Sequence, residues 1–315
     1  MSENKTCWII TEGMAGTENQ CIAVAEALGI EPEIIRMGLK QPWKTLSPWL
    51  GFEGNYSFTE NLNPPWPDIL IAAGRKSVAP SRYIKKQSGG KTFTVQLQDP
   101  KTSPSQFDLV AVPFHDKLRG SNVLVTDGAP NRITEAKLAA AKEQFSPNFK
   151  DFPSPRVAVL IGGNSKTHSL TTAIMQKLVS DLNKLEASLM ITASRRTGEV
   201  NLSLLQEGLK NRQNIYIWDG NGDNPYFGML GWADHILVTA DSVSMLSDAG
   251  TTGKPVQMIE LEGSSPRFDK FHNHLSDMGV IRPFDGNLAD WEYEPLKDAQ
   301  KIADKIEQAM QRRYG

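Results

Sequence analysis

Cysteine is scarce in this chain. Its 315 residues hold two, Cys7 and Cys21. Two are too few for a disulfide framework or a cysteine-based metal site. Cys7 falls in a strand-like run and Cys21 in a helical one, so both are expected to be small core residues in a reducing compartment. Long apolar runs are lacking too. No stretch approaches the ~20 residues of a membrane-spanning helix. The run from Cys7 to Ile10, followed by Glu12, is too short for the apolar part of a secretory signal. These absences point to a cytoplasmic protein and leave open contact at the face of a membrane. Neither sign of charge dominates, with 34 Lys and Arg against 36 Asp and Glu. A basic stripe for nucleic acid is missing, so no nucleic-acid partner is expected. No short-period repeat, DxD-like metal motif or dinucleotide fingerprint after the first strand is visible. No metal or cofactor is therefore expected.

What is present is the composition of a soluble globular protein, 39% hydrophobic and 22% charged. The length suits two domains. Strand-like runs alternate with helical periodicity throughout, which predicts α/β layers built on parallel sheets. Strands are predicted at 7–11, 68–73, 92–97, 108–112 and 123–126, then at 156–161, 189–193, 214–218, 235–239 and 256–259. Helices are predicted at 17–28, 75–87 and 132–145, then at 170–186, 197–209, 224–230, 244–250, 269–278 and 295–312. The segment 146–155 is polar, contains Pro147, Pro153 and Pro155, and separates a helix from a fresh strand. It reads as an interdomain linker. The prediction is two Rossmann-like parallel-sheet domains facing a cleft, 1–148 and 149–315, with the last helix packing back on the first.

Ligands of such sheets bind beyond the carboxyl ends of the strands, so the loops that follow strands carry the functional reading. The most informative is 240–250, between two apolar strands. Ser242 is placed to cap a short helix. Asp241, Ser242, Ser244 and Met245 surround its first turn, where free N–H groups and the helix dipole favour an anion. Asp248 lies one turn after Ser244 and could accept from a sugar hydroxyl. Gly162, Gly163 and Asn164 end another strand and allow close approach of a ligand to the backbone. Ser194, Arg195 and Arg196 end the next, and paired arginines suit a diphosphate. Asn224 lies in a polar turn on the same edge and reads as a helix cap. His272 and His274, near Asp277, read as a solvated helix face. In the first half, Gly13, Gly16, Asn19 and Gln20 follow the first strand, and Gly74 and Arg75 the second. These would line the opposite wall. Asp99, His115 and Asp116 are the acid–base candidates there, with Asp99 and His115 the catalytic choices.

Several of these loops together resemble one family, a plant elongated-mitochondria fission factor and its uncharacterised bacterial relatives. The resemblance runs through Glu12-Gly13-Met14-Ala15-Gly16-Thr17-Glu18-Asn19-Gln20, Pro67-Asp68-Ile69-Leu70-Ile71-Ala72-Ala73-Gly74-Arg75, Gln96-Leu97-Gln98-Asp99-Pro100 and Gly128-Ala129-Pro130. It continues in Ser194-Arg195-Arg196-Thr197, Asn224-Pro225-Tyr226-Phe227, Thr239-Ala240-Asp241-Ser242-Val243-Ser244-Met245 and Arg267-Phe268-Asp269-Lys270-Phe271-His272. Three positions depart from the pattern: Asp248 where Glu is expected, Asn131 where His is usual, and Phe114 where Glu is commoner.

The resemblance implies a GT-B-like fold, as in bacterial UDP-sugar transferases, and for the plant member the recruitment of a dynamin-like GTPase to mitochondria. The leading expectation is a glycosyltransferase-like protein that takes a nucleoside diphosphate sugar as substrate. Its second domain would hold the nucleotide. Its first would hold the acceptor, with Asp99 or His115 activating the hydroxyl. The rival is a non-catalytic scaffold or adaptor with a membrane-associated or protein partner. An epimerase acting on the same nucleotide sugar is the third reading.

Overall fold

The computed structural model describes residues 5–314. Their helices and strands group into two compact units. One contains the described residues up to Arg132 together with those from Lys297 onward; the other is Ile133–Leu296.

The first unit is built on β1 (Cys7–Thr11), α1 (Ala15–Ala27), β2 (Glu33–Arg36), α2 (Trp43–Leu46), β3 (Ile69–Ala73), α3 (Val78–Gln87), β4 (Phe93–Leu97), β5 (Leu109–Pro113) and β6 (Val123–Thr126). The sheet order is β2-β1-β3-β4-β5-β6, and every pair is parallel. Side chains alternate across the sheet, so two cores form. Ile9, Ile69, Ile71 and Val95 pack with Cys21 and Val24 of α1, whereas Ile10, Leu70 and Ala72 pack with Ala79 and Ile84 of α3. Both cysteines are buried and free of disulfides. Burial pushes the Cys7 thiol up to about 12, which makes it an apolar filler rather than a nucleophile.

The second unit contains α4 (Glu135–Gln144), α5 (Ser146–Phe149), β7 (Arg156–Ile161), α6 (Thr172–Lys184), β8 (Ser188–Ala193), α7 (Glu199–Leu209), β9 (Ile215–Ile217), α8 (Tyr226–Trp232), β10 (His235–Thr239), α9 (Val243–Thr251), β11 (Val256–Ile259), α10 (Pro266–Asp277) and β12 (Ile281–Pro283). Its sheet, β12-β11-β10-β7-β8-β9, is also parallel throughout. Val157, Val159 and Leu237 face the α6–α7 layer, and Ala158, Leu160, Ile236 and Val238 the other side. The last helix, α11 (Asp298–Tyr314), belongs to the first unit. Its Ile302, Ile306 and Met310 recur every fourth residue and enter the core beside α1. Asp298 anchors its start by accepting from the backbone N–H groups of Asp127 (2.9 Å) and Gly128 (2.8 Å).

The division falls after Arg132, not near residue 148. The reason is α4, which packs on α8 so closely that a Cβ on Gly231 would meet the Leu138 carbonyl oxygen at 2.8 Å. The Trp232 indole also donates to the Lys142 carbonyl oxygen at 2.8 Å. Nor is 146–155 a loose linker. Phe149 is fully buried within the second unit's core and stacks edge-on against Phe152 and Tyr216. Two short edge strands, β2 and β12, lie outside the predicted set. Each has only three or four residues, too few for a periodic signal.

Candidate functional site

A polar constellation of the second unit lies at the carboxyl ends of β7, β8 and β10, neighbours in one sheet. Each strand delivers one loop. Gly162 and Gly163 follow β7, Ser194-Arg195-Arg196 follow β8, and Asp241-Ser242 follow β10. Asp241 ties the three together. Its side chain is fully buried and accepts from Gly163 N–H (3.0 Å) and the Thr239 hydroxyl (2.7 Å), while Arg196 Nη1 lies 2.6 Å from Oδ2. Gly162 N–H donates to the Thr239 hydroxyl at 2.7 Å, and the Ser194 hydroxyl donates to the Gly162 carbonyl oxygen at 2.8 Å.

This packing explains the glycine pair. A Cβ on Gly162 would overlap the Asp241 carboxylate, and one on Gly163 would overlap the Arg196 carbonyl. The requirement is for close approach. Asn164 then locks the loop, donating its N–H to the Arg196 carbonyl oxygen (3.0 Å) and accepting from Leu170 N–H through Oδ1 (2.9 Å).

Asp241 and Arg196 therefore serve each other before any ligand. Asp241 shapes the turn from within, and the exposed cation of the pair sits at its rim. Arg195 is exposed beside it. Ser242 caps α9, accepting from Met245 N–H at 3.3 Å. Ser244 is exposed in the first turn. Asp248, one turn on, accepts from the Tyr226 hydroxyl of α8 at 2.8 Å. Burial pushes its carboxyl up to about 7, against the lowering effect of that hydrogen bond. Burial likewise raises the Tyr226 phenol, reinforced by the nearby carboxylate. Asn224 accepts from Tyr226 N–H at 3.0 Å, which sets the entry of α8.

Two histidines join this site that the sequence pattern did not place there. His168, buried in the loop after β7, lies edge-on to Phe268 of α10 with ring centroids 4.5 Å apart. His272, one turn further along α10, has its ring 6.3 Å from that of His168. Its Nε2 is 2.9 Å from the Ala240 carbonyl oxygen, so that nitrogen carries the proton. His272 is thus half-buried and bonded to the β10 loop, not on a solvated face. Burial lowers both imidazoles below the usual histidine range, opposed at His168 by Asp241 and Asp269. The available signal for His168 was its place in a loop that follows a strand and begins with two glycines.

In the first unit, the sheet carries the other predicted residues to the corresponding edge. Gly13, with φ of 84°, turns the chain after β1, where its N–H donates to the Thr11 hydroxyl at 3.0 Å. Gly16 and Asn19 are exposed near the start of α1. Gln20 accepts from the Gln98 amide at 3.1 Å, joining the loops after β1 and β4. Gly74, with φ of 83°, leads to Arg75, whose guanidinium stands 5.8 Å from the Trp49 ring centroid. Asp99 and His115 follow the adjacent strands β4 and β5. Asp99 pairs with Lys101 at 2.7 Å, whereas His115 and Asp116 are buried.

The model of the mitochondrial fission ELM1 family matches residues 15–310. The chain belongs to that family. Its family relatives include the mitochondrial fission protein ELM1 of Arabidopsis thaliana, 27% identical over 95% of this chain and 89% of that protein. An uncharacterised protein of Rickettsia prowazekii, RP120, is 28% identical over 96% of this chain and 98% of that one. Among solved structures, the UDP-GlcNAc 2-epimerase of Methanocaldococcus jannaschii is similar with a TM-score of 0.54 and 13% identity. That match covers 98% of this chain and 92% of the epimerase. This member of the ELM1 family therefore has two parallel-sheet α/β units in a fold similar to that of the epimerase. Among the described residues, no helix is long and apolar enough to cross a membrane.

Proposed function

We propose that the second unit binds a nucleoside diphosphate sugar and that the protein transfers the sugar to an acceptor. The carrying observation is the Gly162-Gly163 turn, closed over the Asp241–Arg196 pair at the carboxyl ends of β7, β8 and β10. Close backbone approach, two arginines and the start of α9 offer a diphosphate donors and positive charge without a metal. Arg195 and the outer edge of Arg196 neutralise the leaving diphosphate, and Ser242 and Ser244 line the helix start. Asp248 and Tyr226 form an adjoining hydroxyl-binding pair. The likeness in fold to a UDP-GlcNAc 2-epimerase agrees with a nucleotide sugar as ligand.

On the first unit, Asp99 is the better placed base for an acceptor hydroxyl, because His115 is buried. The second reading is a non-catalytic adaptor that retains the ligand site, favoured by the plant relative named as a fission protein. A thermal-shift series with UDP, GDP, ADP, CMP and their sugars tests binding, since a ligand of the native state raises the melting temperature. Turnover with the stabilising donor and a membrane extract then separates the readings. The enzyme reading expects transfer that falls about 10²–10⁴-fold in Asp99→Asn, with a smaller effect in His115→Ala. Donor affinity should be unchanged in both variants. Donor binding with no transfer or donor hydrolysis in wild type favours the adaptor. No stabilisation by any nucleotide defeats both the ligand site and the transferase reading.

A further inference from the structure

The loop between β2 and β3 of the first unit carries large apolar side chains that the fold leaves uncovered. Phe52 is 89% exposed, Trp49 69%, Tyr56 64% and Leu46 47%. Single exposed apolar residues are ordinary, but four large ones within residues 46–56 are not.

The loop is firmly built. Arg82 of α3 donates from Nη1 to the Pro48 carbonyl oxygen (2.7 Å) and from Nη2 to that of Leu50 (2.9 Å), and pairs with Glu53. The Trp43 indole donates to the Gly51 carbonyl oxygen at 3.1 Å, and the Tyr56 hydroxyl to that of Phe52 at 2.6 Å. Phe52 itself has φ of 61°, a left-handed conformation that bulky residues avoid. An uncovered ring on a strained backbone is doubly unfavourable for folding alone. Strain held by surrounding contacts is a pointer to function.

The charges around the tip choose the partner. Lys40 and Lys44 are exposed, as is Arg75 against Trp49. The one acidic residue between positions 40 and 58 is Glu53, which Arg82 neutralises. Aromatic and aliphatic tips flanked by cations match an anionic lipid surface. Trp and Tyr favour the headgroup level, and Lys and Arg favour lipid phosphates. A two-fold contact of this patch with itself would instead bring like cations together.

We propose that this loop docks on an anionic bilayer, with Trp49 and Phe52 entering the boundary of headgroups and acyl chains and Lys40 and Lys44 on lipid phosphates. The docking surface uses the first unit alone and does not rest on the nucleotide-sugar reading.

Sedimentation of the full chain with vesicles tests it. Binding is expected to vesicles of phosphatidylcholine with phosphatidylglycerol, weaker to phosphatidylcholine alone, and reduced by salt. Trp49→Ser with Phe52→Ser should lower the partition about tenfold or more, and Lys40→Glu with Lys44→Glu by a similar factor. Both pairs should keep the wild-type melting temperature, because the altered side chains are exposed. As a measurement that does not depend on those variants folding, lipids brominated on the acyl chain should quench wild-type tryptophan fluorescence, and Trp49→Phe should remove most of that quenching. The proposal is overturned if wild type ignores anionic vesicles, if the Trp49 and Phe52 double variant binds as wild type, or if quenching persists in Trp49→Phe. It is overturned equally if the double variant abolishes a dimer seen by light scattering while wild type shows no vesicle binding.

Discussion

Arg196 sets Nη1 2.6 Å from Oδ2 of Asp241, and the Asp241 side chain is wholly buried. Asp241 also receives the Gly163 N–H and the Thr239 hydroxyl. One carboxylate thus holds the loops after β7, β8 and β10 in register. Asp241→Ala would leave the buried Gly163 N–H and Thr239 hydroxyl without their acceptor, and a loss of about 2–4 kcal/mol is expected, since each stranded buried donor costs about 1–3 kcal/mol. Arg196→Ala should cost less, about 1–3 kcal/mol, since its guanidinium is partly solvated and Asp241 keeps two neutral donors. Chemical denaturation measures both. An Asp241→Ala protein as stable as wild type would remove this residue from its organising role.

Arg195 and Ser244 are exposed at the same edge and support no comparable network. Their substitution should therefore spare stability and weaken nucleotide binding. The expected losses are about 1.5–3 kcal/mol for Arg195→Ala and about 0.5–1.5 kcal/mol for Ser244→Ala. Titration calorimetry with the nucleotide found by thermal shift reads them. Unchanged affinity in both would return Arg195 to the role of a solvated surface cation.

Gly163 leaves no room for a side chain, because a Cβ would overlap the Arg196 carbonyl. Gly163→Ala should push the β7 and β8 loops apart and abolish nucleotide binding. A comparison in the first unit, Gly16→Ala, meets nothing within 4 Å of its added Cβ and should be tolerated. Comparable nucleotide affinities in the two variants would argue against the closed turn as the binding element.

Asp248 titrates near 7 in the fold, against an ordinary value of 3.8. Between those values the native state holds a proton that the unfolded chain has released. The stabilisation is therefore full below about pH 4, declines as pH rises towards 7, and is level above that. Asp248→Asn abolishes this decline, while its amide oxygen can still accept from Tyr226. Melting temperatures from pH 4 to 8.5 should show the variant gaining on wild type as pH rises. Parallel curves would mean that Asp248 is not held protonated by its surroundings.

The chain pattern alone determined the layers. Apolar runs such as those at 156–161 and 235–239 are continuous because both faces of a parallel sheet are buried, and that signal is local. The glycine, arginine and serine loops were legible for the same reason, since each directly follows a strand. The tertiary structure decided what local patterns do not encode. Phe149 looked like a linker residue because its neighbours are prolines and polar groups, yet its burial depends on Tyr216 and Phe152, one of them distant in the chain. Asp241 read as lining an anion-binding turn and Asp248 as an acceptor for a sugar hydroxyl. Folding buried one against Arg196 and bonded the other to Tyr226, contacts between separate strands and helices. His168 and His272 became neighbours only when α10 packed beside the β7 loop. Strand periodicity is a property of consecutive residues, whereas the partner of a buried charge is set by which loops the sheet order makes adjacent.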